Sequence, residues 1–307
     1  MYAIEAQSLT KTYPGGVEAV KGVDFAVEAG EVFGLLGPNG AGKSTTVGML
    51  TTTIIPSDGR ALVGGYDVVE QPLLARGVSS VVFQESVVDR SPTGRANIEL
   101  HARLWGVGSD ERTRELTEVL GLAELIDRPV SSYSGGERRR LEIARALVSD
   151  PAVLFLDEPT VGLDPRIRHE LLDVIAGLRA RKELTILVTT HYLDEAQRLA
   201  DRVAIVHEGN IVALDSPQAL LARLGGEILE FRVDGDPHTA LAALRFKRLA
   251  TEDAFAVGSR VTVPLHEHAA GDVLAGLDVR ASEISARVPT LDDVYLQLTG
   301  SEMAEAA

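Results

Sequence analysis

The chain has 307 residues, 45% of them apolar and 24% charged, enough for one large domain, a small one and a buried core. It has no cysteine, which excludes disulfide frameworks and thiolate metal sites. Its formal net charge of −15 argues against a broad nucleic-acid partner, because neutralising phosphates takes surplus Lys and Arg.

The opening MYAIEAQSL lacks a basic segment followed by an apolar one, so it reads as a first strand and not as a secretory signal. VEAVKGVDFAV (17–27) alternates like an antiparallel strand. EVFGLLG (31–37), AVLFLD (152–157) and LTILVTT (184–190) are nearly all apolar, as strands buried on both faces of a parallel sheet must be. Helical patterns lie between them in KSTTVGMLTT, RLEIARALVS and RHELLDVIAGLRAR. Strands alternating with helices predict an α/β core. From about residue 92 to 150 helical patterns dominate, which marks an insertion. After Gly225-Gly226 the pattern changes: a strand at EILEFRV and a helix at DPHTALAALR, capped by Asp236. Strands near 248–257 and 260–265, a helix near 267–276 and a strand at VRASEISARV follow. That βαββαβ order predicts a small ferredoxin-like α+β domain, with a last helix at TLDDVYLQLT. No apolar run approaches the roughly 20 residues that cross a bilayer.

GPNGAGKST (37–45) follows a buried strand and opens a helix, matching G-x-x-x-x-G-K-[ST] at Gly37, Gly42, Lys43 and Ser44. Glycines let backbone N–H groups converge on phosphate oxygens, and the helix N-terminus adds partial positive charge. Lys43 would reach the β- and γ-phosphates and Ser44 would ligate Mg²⁺. A plain glycine turn before a helix is the ordinary alternative, and the strand–loop–helix context argues against it. VLFLDEP (153–159) ends an apolar strand in two carboxylates, at the sheet edge where α/β ligands collect. Asp157 would hold Mg²⁺ through water, and Glu158 would polarise an attacking water. YSGGERRR (133–140) contains a capping box, Ser134 with Glu137, which accounts for a helix start but not for Gly135 and Gly136. Arg138 to Arg140 spread around that helix and are expected on a solvated face, with Leu141, Ala144, Leu147 and Val148 as the buried stripe.

In this order the three motifs resemble the ATP-binding subunits of ABC transporters, over about residues 1–224. The resemblance implies a P-loop NTPase core of the ABC ATPase type, with a helical subdomain at about 85–150 and an accessory domain at 225–307. It implies ATP and Mg²⁺ as cofactors. Gly37, Pro38, Asn39, Gly40, Ala41, Gly42, Lys43, Ser44 and Thr45 would cradle the phosphates, and Tyr13 would stack on adenine. Gln84 would touch Mg²⁺ and the attacking water, and His191 would contact the γ-phosphate. Ser134, Gly135, Gly136 and Glu137 would complete the site of a second copy, with Asp164 acting across the same interface. Here Tyr133 and Glu137 depart from the usual Leu and Gln of that motif, and Glu137 places a negative charge near a phosphate.

VPTLDDVYLQLTG (288–300) resembles the ending of the daunorubicin/doxorubicin-resistance ATP-binding proteins, which work with a drug-exporting membrane subunit. The resemblance thus implies an ATPase motor, peripheral on the cytoplasmic face of the cell membrane, with an integral permease and a second copy of itself as partners and no nucleic acid. The alternatives are a soluble ATPase of the same class acting on ribosomes or nucleic acid, or the motor of a lipid exporter or an importer. His266 and His268 form an H-x-H pair without a third ligand nearby in sequence.

Overall fold

β1 (Tyr2–Tyr13) and β2 (Val17–Glu28) pair antiparallel around a tight turn at Gly15 and Gly16, both with positive φ. The computed structural model describes residues 1–108, 110–178, 184–266 and 268–301. The predicted alternation holds, with Ile4, Ala6, Val23, Phe25 and Val27 buried on one face. β3 (Val32–Leu36) follows, buried at every position, and leads into α1 (Lys43–Leu50). β4 (Asp58–Val63) and the short β5 (Tyr66–Asp67) complete a four-stranded antiparallel sheet, order β2-β1-β4-β5.

α2 (Pro72–Gly77) and β6 (Ser79–Val82) return the chain to the main sheet. The insertion then carries α3 (Gly94–Trp105), α4 (Asp110–Val119) and α5 (Gly135–Leu147). β7 (Val153–Asp157), α6 (Pro165–Leu178), β8 (Thr185–Thr190), α7 (Leu193–Leu199) and β9 (Arg202–His207) alternate, and β10 (Asn210–Asp215) closes the edge. The end of the helix expected through 181 lies outside the described residues. The main sheet has the order β10-β9-β3-β8-β7-β6, parallel except for β10. One face packs on the antiparallel sheet, with the Phe25 and Phe33 rings stacked 5.4 Å apart. The other face packs on the insertion and α6. Leu36 pairs with Thr190 and Asp157 with Thr189, so three neighbouring strands end level with one another. That edge is where the site forms.

α8 (Pro217–Ala222) leads to β11 (Ile228–Val233), α9 (Pro237–Phe246), β12 (Phe255–Val257), β13 (Arg260–Pro264), α10 (Ala270–Ala275) and β14 (Ala281–Arg287). Residue 267 of the expected helix 267–276 is outside the described residues. The strands make one antiparallel sheet, order β12-β13-β11-β14, with its own core under α9 and α10. α11 (Leu291–Thr299) does not join that core. Its Leu291, Val294 and Tyr295 pack with Leu36, Leu193, Ile205 and Leu220, and the Tyr295 hydroxyl lies 2.8 Å from His207 Nδ1. The last helix thus clamps the small sheet to the main one.

Candidate functional site

The loop between β3 and α1 admits only small residues at its two anchor points. A Cβ at Gly37 would lie 2.3 Å from the Val206 carbonyl oxygen, and one at Gly42 would lie 2.3 Å from that of Ala19. Gly42 also needs φ 106°, a region that costs side-chain-bearing residues strain. Gly40 has φ 81° and open space around it, as a glycine facing a ligand would. No side chain caps α1, and its first turn has no acid, so its leading N–H groups are not taken up by the helix's own side chains.

Lys43 is buried and folds over this loop, donating to the carbonyls of Gly37 (2.8 Å) and Pro38 (3.0 Å). Its Nζ also sits 3.2 Å from Glu158 Oε1. Burial pulls the Lys43 amine below its ordinary pKa, and the adjacent Glu158 carboxylate pulls it back up. Ser44 Oγ donates to Asp157 Oδ1 at 3.3 Å. Thr189, aligned with Asp157 by strand register, donates to the same oxygen at 2.5 Å and accepts from the Glu158 N–H at 2.9 Å. Glu158 itself has φ 45°, a left-handed conformation rare for such a residue. Neither nitrogen of His191 has a hydrogen-bond partner among the described residues, although both are buried and Nδ1 lies 3.3 Å from Glu158 Oε2. Such orphaned buried nitrogens point to a ligand that would satisfy them. The Tyr13 hydroxyl lies 3.4 Å from Thr45 Oγ1, which places the ring beside the loop.

The expected residues thus divide into two groups. Lys43, Ser44, Asp157, Glu158 and His191 converge, with Tyr13 and Thr45 alongside. Gln84 is exposed on the loop after β6, Asp164 is exposed just before α6, and Ser134 to Glu137 open α5. Among the described residues no hydrogen bond joins these to the phosphate loop.

Comparison with known proteins supplies the context for this geometry. The sequence family described as ABC transporter matches residues 20–161. The chain is 41% identical to the daunorubicin resistance ATP-binding protein DrrA2 of Streptomyces coeruleorubidus, covering 100% of this chain and 99% of that one. It belongs to the ABC transporter ATP-binding family. This ABC ATPase is also 38% identical to the Nod factor export ATP-binding protein I of Rhizobium meliloti (strain 1021), over 99% of this chain and 90% of that one. Among solved structures it resembles cbiO1 from Clostridium perfringens, with a TM-score of 0.67 and 29% identity over 72% of this chain and 91% of that one. ATP binding and hydrolysis are the activity of the family and of this chain.

At α5 the ABC ATPase corrects two expectations. The capping box is complete: Ser134 Oγ accepts from the Glu137 N–H at 3.3 Å, and Glu137 Oε2 accepts from the Ser134 N–H at 2.7 Å. The carboxylate that departs from the usual motif is therefore turned back onto its own helix. The glycines do have a role within one subunit. A Cβ at Gly136 would lie 2.3 Å from Ile167 Cγ2, and one at Gly135 would lie 3.1 Å from Leu163 Cδ2, so they let α5 approach the start of α6. Tyr133, in place of the usual Leu, is buried in the insertion core and donates its hydroxyl to the Leu125 carbonyl at 2.6 Å.

The second correction concerns the arginines. Arg138 turns back to the Tyr133 carbonyl and Arg140 pairs with Glu170, but Arg139 is 6% exposed and enters the interior. Sequence reading also passed over Thr189. Two signals were available: Gly136, Arg139 and Ile143 lie on one helical face, and a Thr pair ends an apolar strand that needs no polar residue. His266 and His268 go separate ways, to Asp253 Oδ2 (2.5 Å) and the Arg248 carbonyl (2.8 Å).

Proposed function

We propose that this ABC ATPase is the motor subunit of an exporter of drugs or antibiotics. The observation that carries the proposal is the division of the site described above. One group, built around Lys43 and Glu158, suits the phosphates of an ATP bound in its own subunit. The other, built on Ser134 to Glu137 with Asp164, suits the ATP of a second copy. Two copies facing each other would complete both sites, and closing them would drive a membrane permease. The names of the relatives support the cargo class.

In this reading Tyr13 stacks on adenine, residues 37–45 hold the phosphates, and His191 donates to the γ-phosphate. Ser44 and Asp157 present hard oxygens 3.3 Å apart, a donor set that fits Mg²⁺, with Gln84 as a further ligand once its loop moves inward. Bound Mg²⁺ neutralises charge on the phosphates. Glu158 orients and deprotonates the attacking water. The permease would dock in the groove of about 280 Å³ beside the Gln84 loop, lined by Phe83, Val87, His101, Trp105 and Arg145 among others. That docking would hold the subunit on the cytoplasmic membrane face; among the described residues no helix is long and apolar enough to cross a membrane. Residues 1–224 form the motor, and 225–307 a ferredoxin-like accessory unit fastened by α11. The test is Glu158→Gln incubated with Mg-ATP, expected to accumulate as a dimer in light scattering while wild type turns over to monomer. A variant that stays monomeric would refute the shared-site reading.

A further inference from the structure

Glu158 stands on a backbone that has to be held in place. Its φ of 45° is unfavourable for a residue with a Cβ, so the local conformation persists only where neighbours fix it. Thr189 fixes the N–H side, as described. The carbonyl side is fixed from a different subdomain. Arg139, on the second turn of α5, donates from Nη2 to the carbonyls of Asp157 and Glu158, both at 3.1 Å. Its Nε donates to the Pro159 carbonyl at 2.8 Å. Its Nη1 donates to the Phe83 carbonyl at 2.5 Å and to Glu142 Oε2 at 2.8 Å.

We propose that Arg139 is a positioning residue for hydrolysis, holding the Glu158 backbone and the base of the Gln84 loop in register with the helix that begins at Ser134. The planar guanidinium matters here, because its fixed fork of donors can meet three successive carbonyls and a fourth on another loop together. A lysine ammonium, a point charge on a flexible stem, cannot. Glu142, also buried, neutralises the cation and orients it. The helix N-terminus that serves a second copy's ATP is thus rigidly joined, through five residues of its own chain, to the carboxylate serving the first. A shift of α5 on dimer closure would reach Glu158 and Gln84 through this one side chain. An ordinary core contact would not explain why the bonds go to the backbone of the catalytic turn and to Phe83, the residue before Gln84.

This inference rests on Glu158 being the catalytic carboxylate, and the experiment separates the two claims. Steady-state Mg-ATP hydrolysis is measured on the full chain for wild type, Glu158→Gln, Arg139→Gln, Arg139→Lys and Glu142→Gln. Both Arg139 variants are expected to lose kcat about tenfold to a hundredfold, as misplaced catalytic groups do, with KM for ATP within about threefold of wild type. Arg139→Lys retains the charge, so a wild-type kcat in that variant would overturn the proposal. So would a rise in KM with kcat intact. Should the Arg139 variants fail to fold, Glu142→Gln, which keeps the side-chain shape, is expected to lower kcat several-fold with KM unchanged. Wild-type hydrolysis by Glu142→Gln would then overturn it. Undiminished hydrolysis by Glu158→Gln would instead refute the role of Glu158 and leave Arg139 nothing to position.

Discussion

α1 and α5 are both entered through glycines, yet their N-termini are built in opposite ways. At α1 no side chain caps the helix, the first turn is free of acids, and a buried lysine reaches across the loop. At α5 a reciprocal Ser134–Glu137 box takes up the N–H groups of Ser134 and Glu137, and the glycines are pressed against the start of α6. The first entrance keeps its donors for a ligand bound in the same subunit. The second is closed by its own side chains, and in the shared-site proposal it would meet a phosphate that arrives from outside. One is a fixed cradle and the other a latch.

The comparison breaks hardest at Lys43. Lys43→Ala removes the one buried cation of the cradle and leaves Glu158 facing His191 alone. ATP hydrolysis is expected to fall by about a hundredfold or more, the scale for losing a donor aimed at developing charge. Equilibrium binding of a fluorescent ATP analogue should weaken in parallel. Binding at wild-type strength would mean that the cradle works through its backbone alone.

Gly136 tests the other entrance. Gly136→Ala drives a methyl into Ile167, whose β-branched side chain is stiff at χ1, and overpacking of this kind costs about 1–3 kcal/mol. Gly40→Ala in the cradle meets no atom and costs only its left-handed backbone, about 1 kcal/mol. Urea denaturation of the two variants measures the difference. The expected order is Gly136→Ala less stable than Gly40→Ala, with ATP binding impaired only in Gly40→Ala. The reverse order would mean that Gly136 has no packing role against α6.

Much of this was legible in the chain, and the exceptions share a cause. The cradle could be read because its chemistry is local: nine consecutive residues between a buried strand and a helix specify loop, dipole and lysine together. The Asp157-Glu158 pair alone would read as an ordinary strand ending in a polar turn, and it could be read because it occurs together with the phosphate loop. Arg139 left only its place on one helical face with Gly136 and Ile143, since tertiary packing decides which of three adjacent arginines points inward. The packing role of Gly136 escaped for the same reason: Ile167 is thirty-one positions away, and no local rule connects them. The Thr pair that ends β8 marks Thr189, but its partner is set by register between β7 and β8, a relation that spans the whole of α6. The fastening of the small sheet through α11 is also long-range, since Tyr295 meets His207 across 88 positions.

The finest distinction lies in the latch itself. Ser134→Ala removes the oxygen that accepts from the Glu137 N–H and is expected to cost about 1 kcal/mol in urea denaturation, the usual worth of an N-cap. Glu137→Gln restores the amide found in the usual motif. It still reaches the Ser134 N–H through its side-chain oxygen, so stability is expected to stay within about 0.5 kcal/mol of wild type. What changes is charge: the carboxylate next to an incoming phosphate becomes neutral. In a Glu158→Gln background, Glu137→Gln should therefore dimerise at lower Mg-ATP concentration than its parent, and added salt should narrow the gap by screening the repulsion. If the two dimerise at the same concentration, the capping bond alone already shields the phosphate, and the departure from the usual motif carries no penalty. If stability falls instead, the latch depends on a full negative charge at the helix N-terminus, and opening it costs more than a neutral box would.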